Sequence, residues 1–358
     1  MVDQTQEIHR NDDWQLAIKT PNISDEIRLP LDMTFNEGHI VSIVTYSILM
    51  VIAAVGNITV LVILRRRRRN IRSRLNTMLM HLAIADLMVT FLLMPLEIGW
   101  ASTVSWRAGD AMCRIMAFFR TFGLYLSSFI LICICVDRYY AILKPLSLGQ
   151  FDRLCKIMLA VAWTASTVCS MPQILIFHVE NHPNFTYYEQ CVIFHSFPNH
   201  FWELLYKYFG FVMMYLLPLV VILFTYTSIL WKIYKKFRDS QDDTNWFRRS
   251  NVGFFGKAKI RTLKMTIIIV VVFIVCWTPY YVICIWYWID SKSAELVDQR
   301  IQKGLFLFAS ANSCMNPIVY GAFNIRSKGT KARPSAQTIS RDSGTKLTSL
   351  SLSIASLP

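Results

Sequence analysis

Five charged residues stand inside long apolar runs of this 358-residue chain: Asp86, Glu97, Arg120, Asp137 and Arg138. A charge in hydrocarbon is costly unless it is paired or wetted, so each is a candidate for function. The chemistry open to them is ion pairing, hydrogen bonding to a polar ligand, or passage of an ion. Helical arithmetic groups them. Arg120 and Arg138 are 18 residues apart, about five turns, so they share a face about 27 Å apart, one near each membrane surface. Asp86 and Glu97 are 11 residues apart, about three turns, and share a face by the same arithmetic.

The elements that must position them are membrane helices. The chain is 54% hydrophobic and only 17% charged, whereas a soluble domain carries about a quarter charged residues. Seven runs are long and apolar enough to cross the hydrocarbon core: His39–Leu64, Asn76–Trp100, Cys113–Leu143, Cys155–Phe177, Leu204–Tyr234, Thr262–Trp288 and Lys303–Ala322. The expected fold is an all-α membrane protein, a seven-transmembrane helix bundle over residues 39–323. A glycosylated N-terminal segment (1–38) precedes it and a Ser/Thr-rich tail (324–358) follows.

The net charge of +14 would suggest nucleic acid in a soluble protein. Here the basic residues sit at the ends of apolar runs and read as topology instead, so no nucleic-acid partner is expected. "RRRRRNIRSR" after the first span holds seven Arg and no acid, and Ser228–Lys264 holds ten Lys/Arg against three Asp. The tail holds six Lys/Arg against one Asp, while Met1–Gly38 holds only three and His178–Glu203 none. Lys/Arg-rich loops stay on the cytoplasmic side, so the N-terminus is expected outside and the tail inside, in a multi-pass plasma-membrane protein. "MVDQTQEIHRNDDWQ" lacks the apolar core of a cleaved signal, which leaves insertion to the first span. The sequons at Asn22 and Asn184 fall on segments assigned outside, while a third, at Asn57, lies within span 1. Of nine cysteines, Cys113 and Cys191 are the two on the oxidising side, and a disulfide between them is expected.

Glu97 and Arg120 lie at comparable depth on consecutive spans, so an ion pair is expected between them. Two readings stay open: a pair that orients two helices, and a polar floor for an extracellular ligand pocket. Asp86 sits at mid-depth with Asn57, Ser127, Asn312, Ser313 and Asn316, which together make a buried polar cluster. Asp137 adjoins Arg138 and can hold it locally while Arg138 faces the bundle; snorkelling of Arg138 to the interface is the plainer reading. Pro172, Pro218, Pro279 and Pro317 lie within or at the ends of spans and predict kinks, hence a cavity and hinges. Trp277, Tyr280 and Tyr281 surround the kink of span 6, and Tyr287 and Trp288 lie near its outer end, where an interfacial belt serves equally well.

No internal repeat is visible, which argues against an inverted-repeat transporter using Asp86, Glu97 and Arg120 as an ion path. The cytoplasmic segments show no Gly-rich phosphate loop and no cluster of metal ligands, so enzymatic catalysis is not expected.

Asn57 in "VGN", "LAIAD" with Asp86, Trp106 before Cys113, "DRYY", Trp163, Pro218 with Tyr226, "CWTPY" and "NPIVY" occur in order, one set per span. This series resembles the rhodopsin-like G-protein-coupled receptors over about Val41 to Phe323. "HLAIADLMVTFLLMPLEIGWASTVSW", "MCRIMAFFRTFGLYLSSF" and "NPIVYGAFNI" resemble the insect adipokinetic hormone receptors, relatives of the gonadotropin-releasing hormone receptors. Receptors for corazonin and for the adipokinetic/corazonin-related peptide, signalling through calcium, are the confusable alternative. Retention of Asp86, Asn316 and Tyr139 favours the insect branch.

The resemblance implies roles. Glu97, Trp100, Arg120, Trp277, Tyr280, Tyr281 and Tyr287 would bind a short amidated peptide hormone. Asp137, Arg138, Tyr139, Tyr226, Phe273, Asn316, Pro317 and Tyr320 would couple that event to a heterotrimeric G protein. Asp86, Ser127, Asn312, Ser313 and Asn316 would form an allosteric sodium pocket, with no other cofactor. Twelve Ser/Thr after Ile325 suit phosphorylation and arrestin docking.

Overall fold

The computed structural model describes residues 33–70, 73–143, 148–183, 185–239, 249–294 and 299–329. Span 1 is one helix, Glu37–Asn70. Span 2 is Arg74–Met88, a π turn Val89–Leu93, and Met94–Thr103. Span 3 is the unbroken helix Gly109–Leu143. Span 4 is Leu148–Ser170 continued by Pro172–Ile176. Span 5 is His200–Phe211, a π turn Val212–Leu216, and Leu217–Asp239. Span 6 is Arg249–Ile289 with Pro279 inside it. Span 7 is Gln299–Ser310 followed by Asn312–Gly329. The molecule is a seven-helix membrane bundle. Among the described residues, six helices are long and apolar enough to cross a membrane. The seventh is interrupted at Ala311, and polar Asn312, Ser313 and Asn316 turn inward just beyond the break.

Span 3 forms the axis. Of its most apolar stretch 78% is buried inside the protein, against 22% for span 1. Leu126, Ile130 and Ile134 are fully enclosed. The outward faces carry exposed Val55, Val161, Val168, Phe224, Val275 and Val282, an apolar belt of the kind that hydrocarbon solvates. The helices close their backbone hydrogen bonds internally, as a spanning segment must.

Two glycines permit close approach. A Cβ at Gly56 would lie 2.8 Å from the Pro317 Cβ, so spans 1 and 7 meet there. A Cβ at Gly123 would lie 3.0 Å from the Val89 Cγ2 and 3.2 Å from the Val89 nitrogen, which brings span 3 against the π turn of span 2.

Strands β1 (His178–Asn181) and β2 (Glu189–Val192) form an antiparallel hairpin between spans 4 and 5, in register Val179 with Cys191. It holds the only strands among the described residues. The bundle thus has a hairpin end and a basic end.

Candidate functional site

A disulfide between Cys113 and Cys191, with Cα atoms 5.6 Å apart, fastens the hairpin to the top of span 3. Asp110 adds a second tie: its Oδ1 accepts from the Val179 amide at 2.9 Å and its Oδ2 from Arg114 Nε at 2.7 Å. Gln190 is a third. Its Oε1 accepts from Trp100 Nε1 at 2.8 Å, and its Nε2 donates to the Val104 carbonyl at 2.8 Å and the Tyr188 hydroxyl at 2.6 Å. Trp100 packs edge-on against Trp106 at 5.1 Å. The hairpin is therefore a fixed rim. Gln190 escaped the sequence reading because an amide in a loop between spans carries no signal of its own.

Below the rim, Arg120 Nη2 lies 2.8 Å from Glu97 Oε1, with the side chains only 11% and 16% exposed. The contact is ionic rather than an aligned hydrogen bond, because Glu97 Oε1 has no hydrogen-bond partner among the described residues. The guanidinium also lies 5.0 Å from the Phe306 ring and 6.0 Å from the Trp100 ring. An arginine held between a carboxylate and two aromatic faces is desolvated but electrostatically satisfied.

Arg120 and Phe306 stand between two cavities. The outer one, about 320 Å³, is lined by Glu97, Trp100, Tyr188, Gln190, Arg300 and Lys303 among others. The deeper one, about 50 Å³, is bounded by Trp277, Tyr280, Tyr281, Phe211, Met214 and Trp288 among others. The outer compartment mixes charged and polar side chains with apolar ones; the inner, apart from Arg120 and Lys207 at its edge, is apolar and aromatic. Glu97, Trp100, Arg120, Trp277, Tyr280 and Tyr281 thus gather around one bipartite opening. Tyr287 is buried but lines neither cavity. Lys207, which contacts Glu203 at 2.6 Å, reaches the inner cavity. Sequence reasoning passed over this pair because it lies near the end of a span, where charges are common.

The π turn in span 2 changes the helical arithmetic. It takes up one more residue than an α turn, so the eleven residues from Asp86 to Glu97 complete fewer than three turns. Both side chains nevertheless meet span 3: Glu97 reaches Arg120, and Asp86 Oδ1 accepts from Ser127 Oγ at 3.2 Å.

An aromatic column descends from the inner cavity. Tyr215 lies 4.9 Å from Tyr281 and 6.2 Å from Phe273, and Trp277 lies 5.8 Å from Tyr281. Tyr215 and Thr278 share a hydroxyl hydrogen bond of 2.6 Å that joins spans 5 and 6. Phe273 and Trp277 are buried.

At mid-depth, Asp86 is fully buried, and its Oδ2 accepts from Asn316 Nδ2 at 2.8 Å. Asn57 Nδ2 donates to the Ser313 carbonyl at 2.9 Å and the Ala53 carbonyl at 3.0 Å. Asn57 is 1% exposed within the span, which excludes it as a glycan acceptor. Asn312 Oδ1 is buried with no hydrogen-bond partner among the described residues. The Asp86 carboxylate and the Ser127 hydroxyl beside it are oxygens of the kind a hard cation takes. A cavity of about 10 Å³, at the lower limit for one water, lies beside Asp86, Asn57 and Asn316; Ser127, Asn312 and Ser313 are not among the described residues that line it.

At the basic end, Arg138 pairs with Asp137 and donates from Nη1 to Thr262 Oγ1 at 3.4 Å. That bond ties span 3 to span 6. Arg74 Nε stands 3.8 Å from Asp137 Oδ1. Tyr226 is buried, and the Tyr320 hydroxyl accepts from Arg67 Nη1 at 3.4 Å. Tyr139 stacks on Phe224 at 6.2 Å. Asn22, Asn184 and the tail from residue 330 onward lie outside the described residues.

Residues 56–320 match the family described as 7 transmembrane receptor (rhodopsin family). The chain is 39% identical over 279 residues to a gonadotropin-releasing hormone II receptor of Clarias gariepinus, covering 77% of this chain and 73% of that protein. It is 36% identical over 264 residues to a gonadotropin-releasing hormone receptor of Cavia porcellus (71% and 78% covered). The receptor of Sus scrofa is 34% identical over 265 residues, with 73% of this chain and 80% of that receptor covered. The chain belongs to the rhodopsin-like seven-transmembrane receptors, and within them to the gonadotropin-releasing hormone receptor family; it is a receptor and not an enzyme.

Proposed function

We propose that this chain is a plasma-membrane receptor, N-terminus outside, for a short amidated neuropeptide of the adipokinetic hormone type. It activates a heterotrimeric G protein of the cAMP-raising class, and through it the mobilisation of energy stores. The observation that carries the reading is the Glu97–Arg120 pair set between a polar outer cavity and an aromatic inner one. A small amidated peptide with few charges and aromatic side chains needs both halves: backbone and amide groups meet the ion pair, and rings enter the apolar compartment. Kinship with receptors named for gonadotropin-releasing hormone supports a peptide as ligand. Retention of Asp86 in span 2, Asn316 in span 7 and Tyr139 after Arg138 supports the insect branch.

The mechanism is a population shift. Peptide binds one bundle arrangement more tightly outside, and the G protein binds the same arrangement inside. Opening requires the Arg138–Thr262 tie to part, and the aromatic column through Trp277 and Phe273 is the packed material between cavity and tie. Asp86, Ser127, Asn312, Ser313 and Asn316 are the residues that would hold a sodium ion, which would supply charge neutralisation to Asp86. Phosphorylated Ser/Thr of the tail recruit arrestin.

The test is a panel of adipokinetic, adipokinetic/corazonin-related and corazonin peptides on cells expressing the chain, read as cAMP and calcium. Adipokinetic peptides are expected to act at the lowest concentration, through cAMP. A response to corazonin alone, through calcium, would overturn the ligand assignment.

A further inference from the structure

A groove of about 750 Å³ opens on the outside of the bundle at its basic end, between the last turns of span 3 and the second helix of span 5. Its wall is apolar: Leu143, Leu223 and Phe224, with Tyr139 stacked on Phe224. Its floor and mouth are cationic, with Lys232 and Lys235 one turn apart. No acidic side chain is among the described residues that line it. Lys232 Nζ donates at 2.6 Å to the carbonyl of Leu143, the last residue of the span 3 helix. An ammonium has three donors, and this bond uses one. Trp231, 70% exposed, stands at the same level, as indoles do where a bilayer meets water. Thr227 and Ser228 add hydroxyls between the apolar wall and the lysines.

From Phe224 to Lys235 the helix rises about 17 Å, enough for a headgroup and the upper part of an acyl chain. A soluble guest would meet an apolar wall that faces hydrocarbon, and a neutral lipid would leave two ammonium groups without a counter-charge. We propose that the groove holds one anionic phospholipid, its phosphate and acidic headgroup against Lys232 and Lys235 and an acyl chain along Phe224 and Leu223. The site rests on the reading that the basic end is cytoplasmic, the leaflet where anionic lipids reside. A lipid seated there bridges the inner ends of spans 3 and 5 beside Tyr139, next to the Arg138 latch.

The test uses the full chain in lipid discs of phosphatidylcholine with and without phosphatidylserine, with retained lipid counted by native mass spectrometry. Each lysine near an anionic surface contributes about a five-fold change in binding. K235Q, at an exposed position, is expected to retain about five-fold less phosphatidylserine, and K232Q/K235Q about 25-fold less. K232R/K235R should keep it. Equal phosphatidylserine retention by K232Q/K235Q and the parent chain overturns the proposal. So does phosphatidylcholine retained as firmly as phosphatidylserine. Loss of G-protein activation in K232Q/K235Q with lipid retention intact also overturns it, and would make the groove a protein contact. Accessibility of an N-terminal tag on intact cells reports the orientation separately, and the peptide panel reports the receptor assignment separately.

Discussion

Reversing Arg120 to Glu should abolish most of the hormone response, and reversing Glu97 to Arg in the same chain should restore part of it. Two unit charges 2.8 Å apart attract by about 6 kcal/mol at an effective dielectric near 20. Desolvation of both groups cancels much of that. What matters for the single variant is the charge left behind. Arg120→Glu sets two carboxylates against each other in a site only 11–16% exposed, and an unpaired buried charge costs about 3–5 kcal/mol. If about half falls on the binding-competent arrangement, the half-maximal peptide concentration rises roughly 30-fold. The double variant re-forms the pair in reverse, and recovery of at least about ten-fold is expected, a coupling of about 1.4 kcal/mol. The assay is a cAMP dose response at matched surface expression. Arg120→Lys refines it: the charge remains, but the planar contact with Phe306 and Trp100 goes, so an intermediate loss is expected. Equal losses in the single and double variants would refute the reasoning, since the arginine would then act on the peptide independently of Glu97.

Other consequences follow from single contacts. Thr262→Ala removes the Arg138 tie, and a hydrogen bond of about 1 kcal/mol corresponds to about a five-fold rise in ligand-independent cAMP; an unchanged basal level would count against the latch. Replacing sodium by choline should raise agonist affinity in the parent chain and leave Asp86→Ala unresponsive, as read by competition binding. Cys113→Ser frees a loop of 78 residues, for which chain entropy gives about 4–5 kcal/mol; peptide response and heat resistance should both fall, and mild reductant on the parent should reproduce the defect. Gly56→Ala pushes a methyl into Pro317, costs about 1–3 kcal/mol, and should lower the melting temperature by several degrees in a thiol-reactive dye assay.

Much of this architecture was legible in the sequence because membranes impose strong, local rules. A run of about twenty apolar residues can only be a helix, and a charge inside it must find a partner. So the sequence alone directs Arg120 toward Glu97 and Cys113 toward Cys191. The π turns at Val89–Leu93 and Val212–Leu216 left no such trace. They differ from α turns by one residue of bonding, with the same apolar side chains. The break at Ala311 is similar: it sits between polar residues whose inward direction is set by packing. Gln190 and Lys207 were missed for a further reason, since a polar residue at a membrane edge needs no partner, and only the tertiary fold shows that these two reach the cavities.

The irregular turn in span 2 and the ion pair above it belong to one device. Gly123 lets span 3 approach the backbone of Val89 at the start of the π turn, and that turn sets the direction of Glu97. Arg120, one turn above Gly123 on the same rigid helix, then meets Glu97 instead of lipid. A ligand that only lay in the outer cavity could bind without disturbing this arrangement, and a ligand of equal affinity for two states shifts neither. To favour the open state a peptide must make contacts whose geometry changes with it, and the wall of Arg120 and Phe306 between the two cavities is where such contacts lie. Arg120 is fixed to span 3, which runs unbroken to Arg138, whereas Phe306 and the aromatic column belong to spans 5, 6 and 7, of which span 5 has a π turn, span 6 a proline inside its helix and span 7 a break at Ala311. The stiff element holds the arginine, and elements with irregular turns hold its carboxylate partner and the rings. A peptide bridging them therefore works against the Arg138–Thr262 tie at the far end of the same pair of spans.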